Sequence, residues 1–242
     1  ESFVMPPARV EVATAELRDM APSVDVSGTV VSLNDSRIAS EIEGVLTWLA
    51  DVGADVDAGD VIARINPQLI RIEVARAEAD VARLRSDFDY RDRQLARTEE
   101  LATKNSVSQT LLDETRAQRE QAQHMLNDAN AALEFARANL ERTEIRAPFA
   151  GHVVARLAAV GEFVSVGEDV IRLVDTHRIE VSLPASIALS RFIKPGMGLP
   201  VRSDDVVREH VVRTVVPVGD AVSRMVEIRL SAGDSEWLVG TP

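Results

Sequence analysis

Residues 68–145 contain neither glycine nor proline, although the chain of 242 residues holds 12 Gly and 10 Pro. So long a stretch without a backbone breaker can be regular helix and little else. Asn66-Pro67 supplies a start signal, an N-cap followed by proline at the first helical position. From there Ile70, Val74, Ala77, Val81, Leu84, Phe88, Arg91, Leu95 and Thr98 recur at alternating spacings of four and three, the seam of a heptad repeat. The polar run Thr103-Lys104-Asn105-Ser106 interrupts it. Ser108 then offers a second N-cap, with Asp113 and Glu114 near the first turn, where the helix dipole favours acids. A second seam follows through Leu112, Thr115, Arg119, Ala122, Leu126, Ala129, Leu133, Ala136, Leu140 and Thr143.

Two seams of equal length joined by a short polar loop predict an antiparallel helical hairpin over residues 67–145. Arms of about 35 residues give a reach of about 50 Å. Alanine at alternate positions of the second seam lets the helices approach closely, and Pro148 is expected to stop the second arm. A hairpin folded into a bundle is the competing arrangement, but no further long helix is available to complete one. Carboxylates on the outer faces fall into i,i+4 pairs with arginine, Asp87 with Arg91 and Asp89 with Arg93.

The flanks have a different texture, rich in Val, Ile, Gly and turn signals, and they carry an internal repeat. Gly44–Ile65 reads GVLTWLADVGADVDAGDVIARI and Gly151–Val174 reads GHVVARLAAVGEFVSVGEDVIRLV. Gly44 corresponds to Gly151, Gly53 to Gly161 and Gly59 to Gly167; Val56 corresponds to Val164, and Val61-Ile62 to Val170-Ile171. Each copy is a set of short strands between glycine turns, and neither could bury its apolar face alone. The two halves are therefore expected to form one small sandwich, with the hairpin inserted between them.

Composition narrows the chemistry. The chain lacks cysteine, which excludes thiol catalysis, disulfides and cysteine-ligated zinc. A net charge of −12 argues against nucleic acid or an anionic membrane surface as the main partner. There is no phosphate-binding glycine loop and no nucleophile elbow. The histidines His124, His152, His177 and His210 are scattered. Glu120, His124 and Asp128 share a helical face at i,i+4 spacing, a pattern that suits a solvated surface better than a metal site. No catalytic, cofactor-binding or metal site is expected.

The half-repeats resemble the two halves of a lipoyl or biotinyl carrier domain, in Gly-x-Val followed by Gly-x-x-Val-x-x-Gly-(Asp/Glu) and an apolar strand. A carrier domain has a modifiable lysine in the turn between its halves; here the hairpin occupies that place, and Lys104 and Lys194 lie elsewhere. A lipoyl-like sandwich split by a helical hairpin and followed by a β-rich segment is similar to the plan of periplasmic adaptors, the membrane fusion proteins of RND-type tripartite efflux pumps. The resemblance implies an α+β multidomain fold: a lipoyl-like β-sandwich over residues 39–66 and 146–175, the hairpin over 67–145, and a β-barrel over 28–38 and 176–242. Within the barrel part, segment 28–33 is expected to be a strand, Ser186–Phe192 a short helix, Pro195-Gly196 a turn, and 211–231 further strands. Residues 1–27 would contribute an N-terminal strand to a partial membrane-proximal domain, and the end at Trp237-Leu-Val-Gly-Thr-Pro is expected to cut the barrel short.

At the hairpin tip the spacing Arg-x3-Leu-x6-Ser, carried by Arg97, Leu101 and Ser108, resembles the family's contact motif for a TolC-type outer-membrane channel. Each residue also suits a plainer role, Leu101 closing the seam, Ser108 capping a helix and Arg97 standing as a solvated charge. The resemblance further implies an inner-membrane transporter as partner, self-association into a ring, by family resemblance a hexamer, no cofactor, no enzymatic activity, and a periplasmic location with an inner-membrane anchor. An adaptor of an ABC-type exporter or of a type I secretion system is the neighbouring alternative. A carrier-like enzyme subunit is the remote one.

Overall fold

The computed structural model describes Val12, Thr14 and residues 24–104, 106–203, 206–218, 224–233 and 237–241. Strands β1 (Thr29–Ser32), β2 (Asp35–Ala39), β3 (Gly44–Leu49), β4 (Asp55–Val56) and β5 (Val61–Ile65) precede helices α1 (Gln68–Thr103) and α2 (Gln109–Glu141). Strands β6 (Glu144–Arg146), β7 (Gly151–Arg156), β8 (Phe163–Val164), β9 (Asp169–Val174) and β10 (Ile179–Ser186) follow. The short helix α3 (Ile187–Ser190) and strands β11 (Gly198–Ser203), β12 (Val206–Val215) and β13 (Met225–Ser231) complete the order.

The sandwich consists of two four-stranded sheets, β2-β9-β7-β4 and β6-β5-β3-β8. Each combines strands from both sides of the hairpin. Between them lies a core in which Leu46, Ile62, Ile65, Val153, Val164, Ile171 and Leu173 are almost completely buried. The repeat explains the arrangement. Gly53 N–H donates to the Val153 carbonyl and Gly161 N–H to the Leu46 carbonyl, both at 2.8 Å. Gly59 N–H donates to Ala147 and Gly167 N–H to Ser40, again at 2.8 Å. Each half thus satisfies the other's backbone in the same way, about a pseudo-twofold axis. All four glycines have φ between 84° and 94°, a left-handed conformation that L side chains adopt with strain.

The helices pack along the two expected seams. On α2, Leu112, Thr115, Ala122, Leu126, Leu133 and Ala136 are buried; on α1, Thr98 is buried and the remaining seam members are half-buried. Small residues on the α2 side let α1 sit close, as the alternation of alanine suggested. Three details depart from the sequence reading. Helix α1 begins at Gln68, with Pro67 at the cap position, while the Asn66 side chain accepts the Gln68 N–H at 3.0 Å. Helix α2 ends at Glu141 rather than at Pro148, because the chain is drawn into β6, which pairs with β5. Asp113 and Glu114 lie just beyond the first turn of α2.

The third sheet is antiparallel, in the order β1-β10-β13-β12-β11. Its core holds Val181, Val212, Ile228 and Leu230. Helix α3 is capped by Ser186, whose hydroxyl accepts the Leu189 N–H at 3.3 Å. The free side of β1 is covered by the segment 237–241: Val30 N–H donates to Thr241 and Gly240 N–H to Val30, both at 2.8 Å. The expected strand within residues 1–27 lies outside the described residues, apart from Val12, Thr14 and 24–27, which carry no regular structure.

Candidate partner-binding site at the hairpin tip

The tip is built by two helix ends. The Leu101 carbonyl accepts the Lys104 N–H at 3.1 Å and the Ser106 N–H at 3.0 Å, which turns the chain out of α1. The Lys104 ammonium pairs with Glu100 at 2.7 Å. Helix α2 restarts at Ser108, whose hydroxyl accepts the Leu111 N–H at 3.3 Å and so satisfies one of the free donors of the first turn. Behind the turn the seam closes on Thr98, Leu112 and Thr115, all buried, with the threonine hydroxyls donating to Gln94 and Leu111 carbonyls.

All three residues singled out in the sequence are therefore at this end. Arg97 is exposed and has no hydrogen bond or ion pair among the described residues. Leu101 is 45% exposed, so the seam does not absorb it. Ser108 is exposed and spends its acceptor on the cap. Leu111, which the sequence reading passed over, is 44% exposed. Its signal was its place beside seam residue Leu112: the equivalent heptad position on α1 is Leu101, so the antiparallel register puts two uncovered leucines on one side of the tip. What the tip offers is an apolar knob, Leu101 with Leu111, beside a guanidinium that pairs with no described residue.

Elsewhere, Glu120, His124 and Asp128 are exposed on α2. Among the described residues no group of three or more His, Cys, Asp or Glu stands close enough to hold a metal ion. No helix among them is long and apolar enough to cross a membrane.

A family model described as CzcB-like, barrel-sandwich hybrid domain matches residues 34–175, more than half of the chain. The chain is a membrane fusion adaptor of the CzcB-like family. The adaptor is 30% identical over 206 residues to the multidrug resistance protein MdtA of Cronobacter turicensis, covering 82% of the chain and 50% of that protein. It is 31% identical over 185 residues to MdtA of Proteus mirabilis, covering 74% and 44%. It thus spans about half the length of the curated relatives it matches. Among solved structures, the membrane fusion protein Spr0693 from Streptococcus pneumoniae superposes with a TM-score of 0.72 at 19% identity, over 90% of this chain and 95% of that one, a likeness of fold.

Proposed function

We propose that the adaptor works in the periplasm, linking an inner-membrane RND transporter to a TolC-type outer-membrane channel for the efflux of drugs or other small molecules. In this reading it is not an enzyme; it is anchored to the inner membrane, assembles into a ring, and meets the channel through Arg97, Leu101 and Ser108. The observation that carries the reading is the tip itself. It stands about 54 Å along α1 from the sandwich, and it presents Leu101 uncovered and Arg97 unpaired. A leucine left in water at the end of a long lever contributes little to folding and much to a partner that can cover it, and Arg97 can donate to carbonyls or carboxylates of that partner.

The test is the Arg97→Asp, Leu101→Asp double variant. It should fold and express like the wild type, yet lose cross-linking to the channel and lose drug efflux. Wild-type efflux and cross-linking in a stably folded double variant would overturn the tip-contact reading. Ser108→Ala is a less selective probe, because loss of the cap alone costs about 1 kcal/mol.

A further inference from the structure

The two outer flanks of the hairpin are complementary to each other, not to themselves. On α1, Arg76, Arg83, Tyr90 and Arg97 recur every seventh residue, each two positions after a seam residue. On α2, Glu114, Gln121, Asp128 and Phe135 do the same. Equal heptad phase in an antiparallel pair puts both columns on the same side of the hairpin, and Arg76, Arg83 and Asp128 indeed border one groove there. Both columns are exposed, Tyr90 at 52% and Phe135 at 66%. Their interactions within the chain are slight: Arg83 reaches Asp80 at 3.1 Å and Glu114 accepts from Gln118 at 3.2 Å, both on the surface.

The heights along the hairpin are fixed by cross-helix pairs, Glu78–Arg137 at 2.7 Å, Asp92–Arg119 at 3.0 Å and Glu99–Arg116 at 3.1 Å. Within about one helical turn, Arg97 therefore stands level with Glu114, Tyr90 with Gln121, Arg83 with Asp128 and Arg76 with Phe135. A closed ring of parallel hairpins has rotation and no rise, so the α1 flank of one copy meets the α2 flank of the next at equal height. Under that constraint one rung pairs opposite charges, Arg83 with Asp128, one sets the Arg76 guanidinium on the Phe135 ring and one sets Tyr90 against the Gln121 amide, while Arg97 at the tip is left to the channel. Ala79 and Ala82 on α1 and Ala131 and Ala138 on α2 lie beside these columns and keep the backs of the helices narrow enough for close approach.

We infer that this surface binds a second copy of the chain, head to tail, through Arg76 and Arg83 of one copy and Phe135 and Asp128 of the next. The inference rests on the ring-forming reading above and names the faces that meet. A dimer that joined two α1 flanks, or two α2 flanks, would instead set arginine against arginine, or acid against acid.

The chain has no cysteine, so introduced thiols report only the intended contact. Two full-length populations, Arg76→Cys and Phe135→Cys, are mixed and oxidised with copper phenanthroline. The disulfide between the two populations should exceed either self-disulfide roughly tenfold. Separately, Asp128→Arg should weaken self-association in sedimentation roughly tenfold, and Arg83→Asp in the same chain should restore it. Dominant Phe135→Cys self-disulfide, or failure of the double charge reversal to restore association, overturns the assignment of faces. Rings that persist in sedimentation without the mixed disulfide overturn it too and leave the ring itself standing. A chain that stays monomeric both alone and with the channel overturns both.

Discussion

Asn34 and Asp175 hold each other by backbone and side chain at once: the Asp175 amide donates to the Asn34 carbonyl at 2.9 Å, and Asn34 Nδ2 donates to Asp175 Oδ2 at 3.2 Å. They sit on the two connections that join the sandwich to the five-stranded sheet. The Asp175 carboxylate also accepts the backbone N–H groups of His177 and Arg178 and the Arg178 guanidinium at 2.8 Å, while Ser32 donates to the Asp175 carbonyl. Both chain passages are therefore pinned by one residue whose side chain is 2% exposed.

Asp175→Ala should lower stability by roughly 2–3 kcal/mol, because it leaves several donors without an acceptor. Burial by itself pushes this carboxyl up, but the donations from Arg178, His177 and Asn34 outweigh it and hold it below its ordinary value of 3.8. A depressed carboxyl stabilises the fold above its unfolded value, and that contribution is lost as pH falls through the lower folded one. Urea titrations between about pH 2 and 7 should show the wild type losing stability below about pH 4, with a shallower loss in Asp175→Ala. Parallel pH profiles would remove Asp175 from the account.

Glycine requirements in the sandwich are of two kinds. A Cβ on Gly151 would run into the Val174 carbonyl of the neighbouring strand, so Gly151→Ala should cost roughly 2 kcal/mol or more. Gly53 has φ of 87° and open space around its Cα, so Gly53→Ala should cost only the conformational strain, roughly 1 kcal/mol. Thermal melts of the two variants should rank them in that order.

In the hairpin, Leu126 is 5% exposed, and Leu126→Ala should cost roughly 2–4 kcal/mol of helical stability by circular dichroism. Phe135→Ala, on the outer flank, should leave the melt nearly unchanged. A large loss there would mean that Phe135 supports its own hairpin.

The exposed Glu78–Arg137 pair spans the two helices at 2.7 Å, yet both partners are more than half exposed. Arg137→Ala should change stability by no more than about 0.5 kcal/mol, since solvent and side-chain entropy offset most of the attraction. Urea midpoints at low and high salt check this.

The parts of the fold that repeat locally were legible from the chain. Every residue placed on the α2 seam, from Leu112 to Thr143, is buried or half-buried, because heptad spacing alone decides which face meets a partner helix. Two of the three glycine correspondences, Gly53 with Gly161 and Gly59 with Gly167, likewise mark where left-handed turns recur. What the sequence hid depends on distant neighbours. The Asn34–Asp175 clamp joins residues 141 positions apart and leaves no periodic trace. Asp89 has Arg at both i−4 and i+4 and takes Arg85, at 4.0 Å, rather than the expected Arg93. The Trp237 segment reads as a strand cut short, but it packs beside His210, with ring centroids 5.0 Å apart, and borders β1. At the tip, resemblance to a contact motif singled out Arg97, Leu101 and Ser108, but the exposure of Leu111 followed only from the register between helices.

The exchanged glycine bonds of the sandwich also govern how the chain can be made. Gly53 waits for Val153, and Gly161 for Leu46, so the first half leaves the ribosome with its turns unfinished and its apolar strands uncovered. Closing so long a loop of random chain would be slow and entropically costly. The hairpin removes that obstacle, since its contacts are local and its two ends finish side by side, delivering β6 to β5 as soon as α2 has zipped onto α1. The lever that reaches outward in the finished adaptor is thus also the device that shortens the search for its own base.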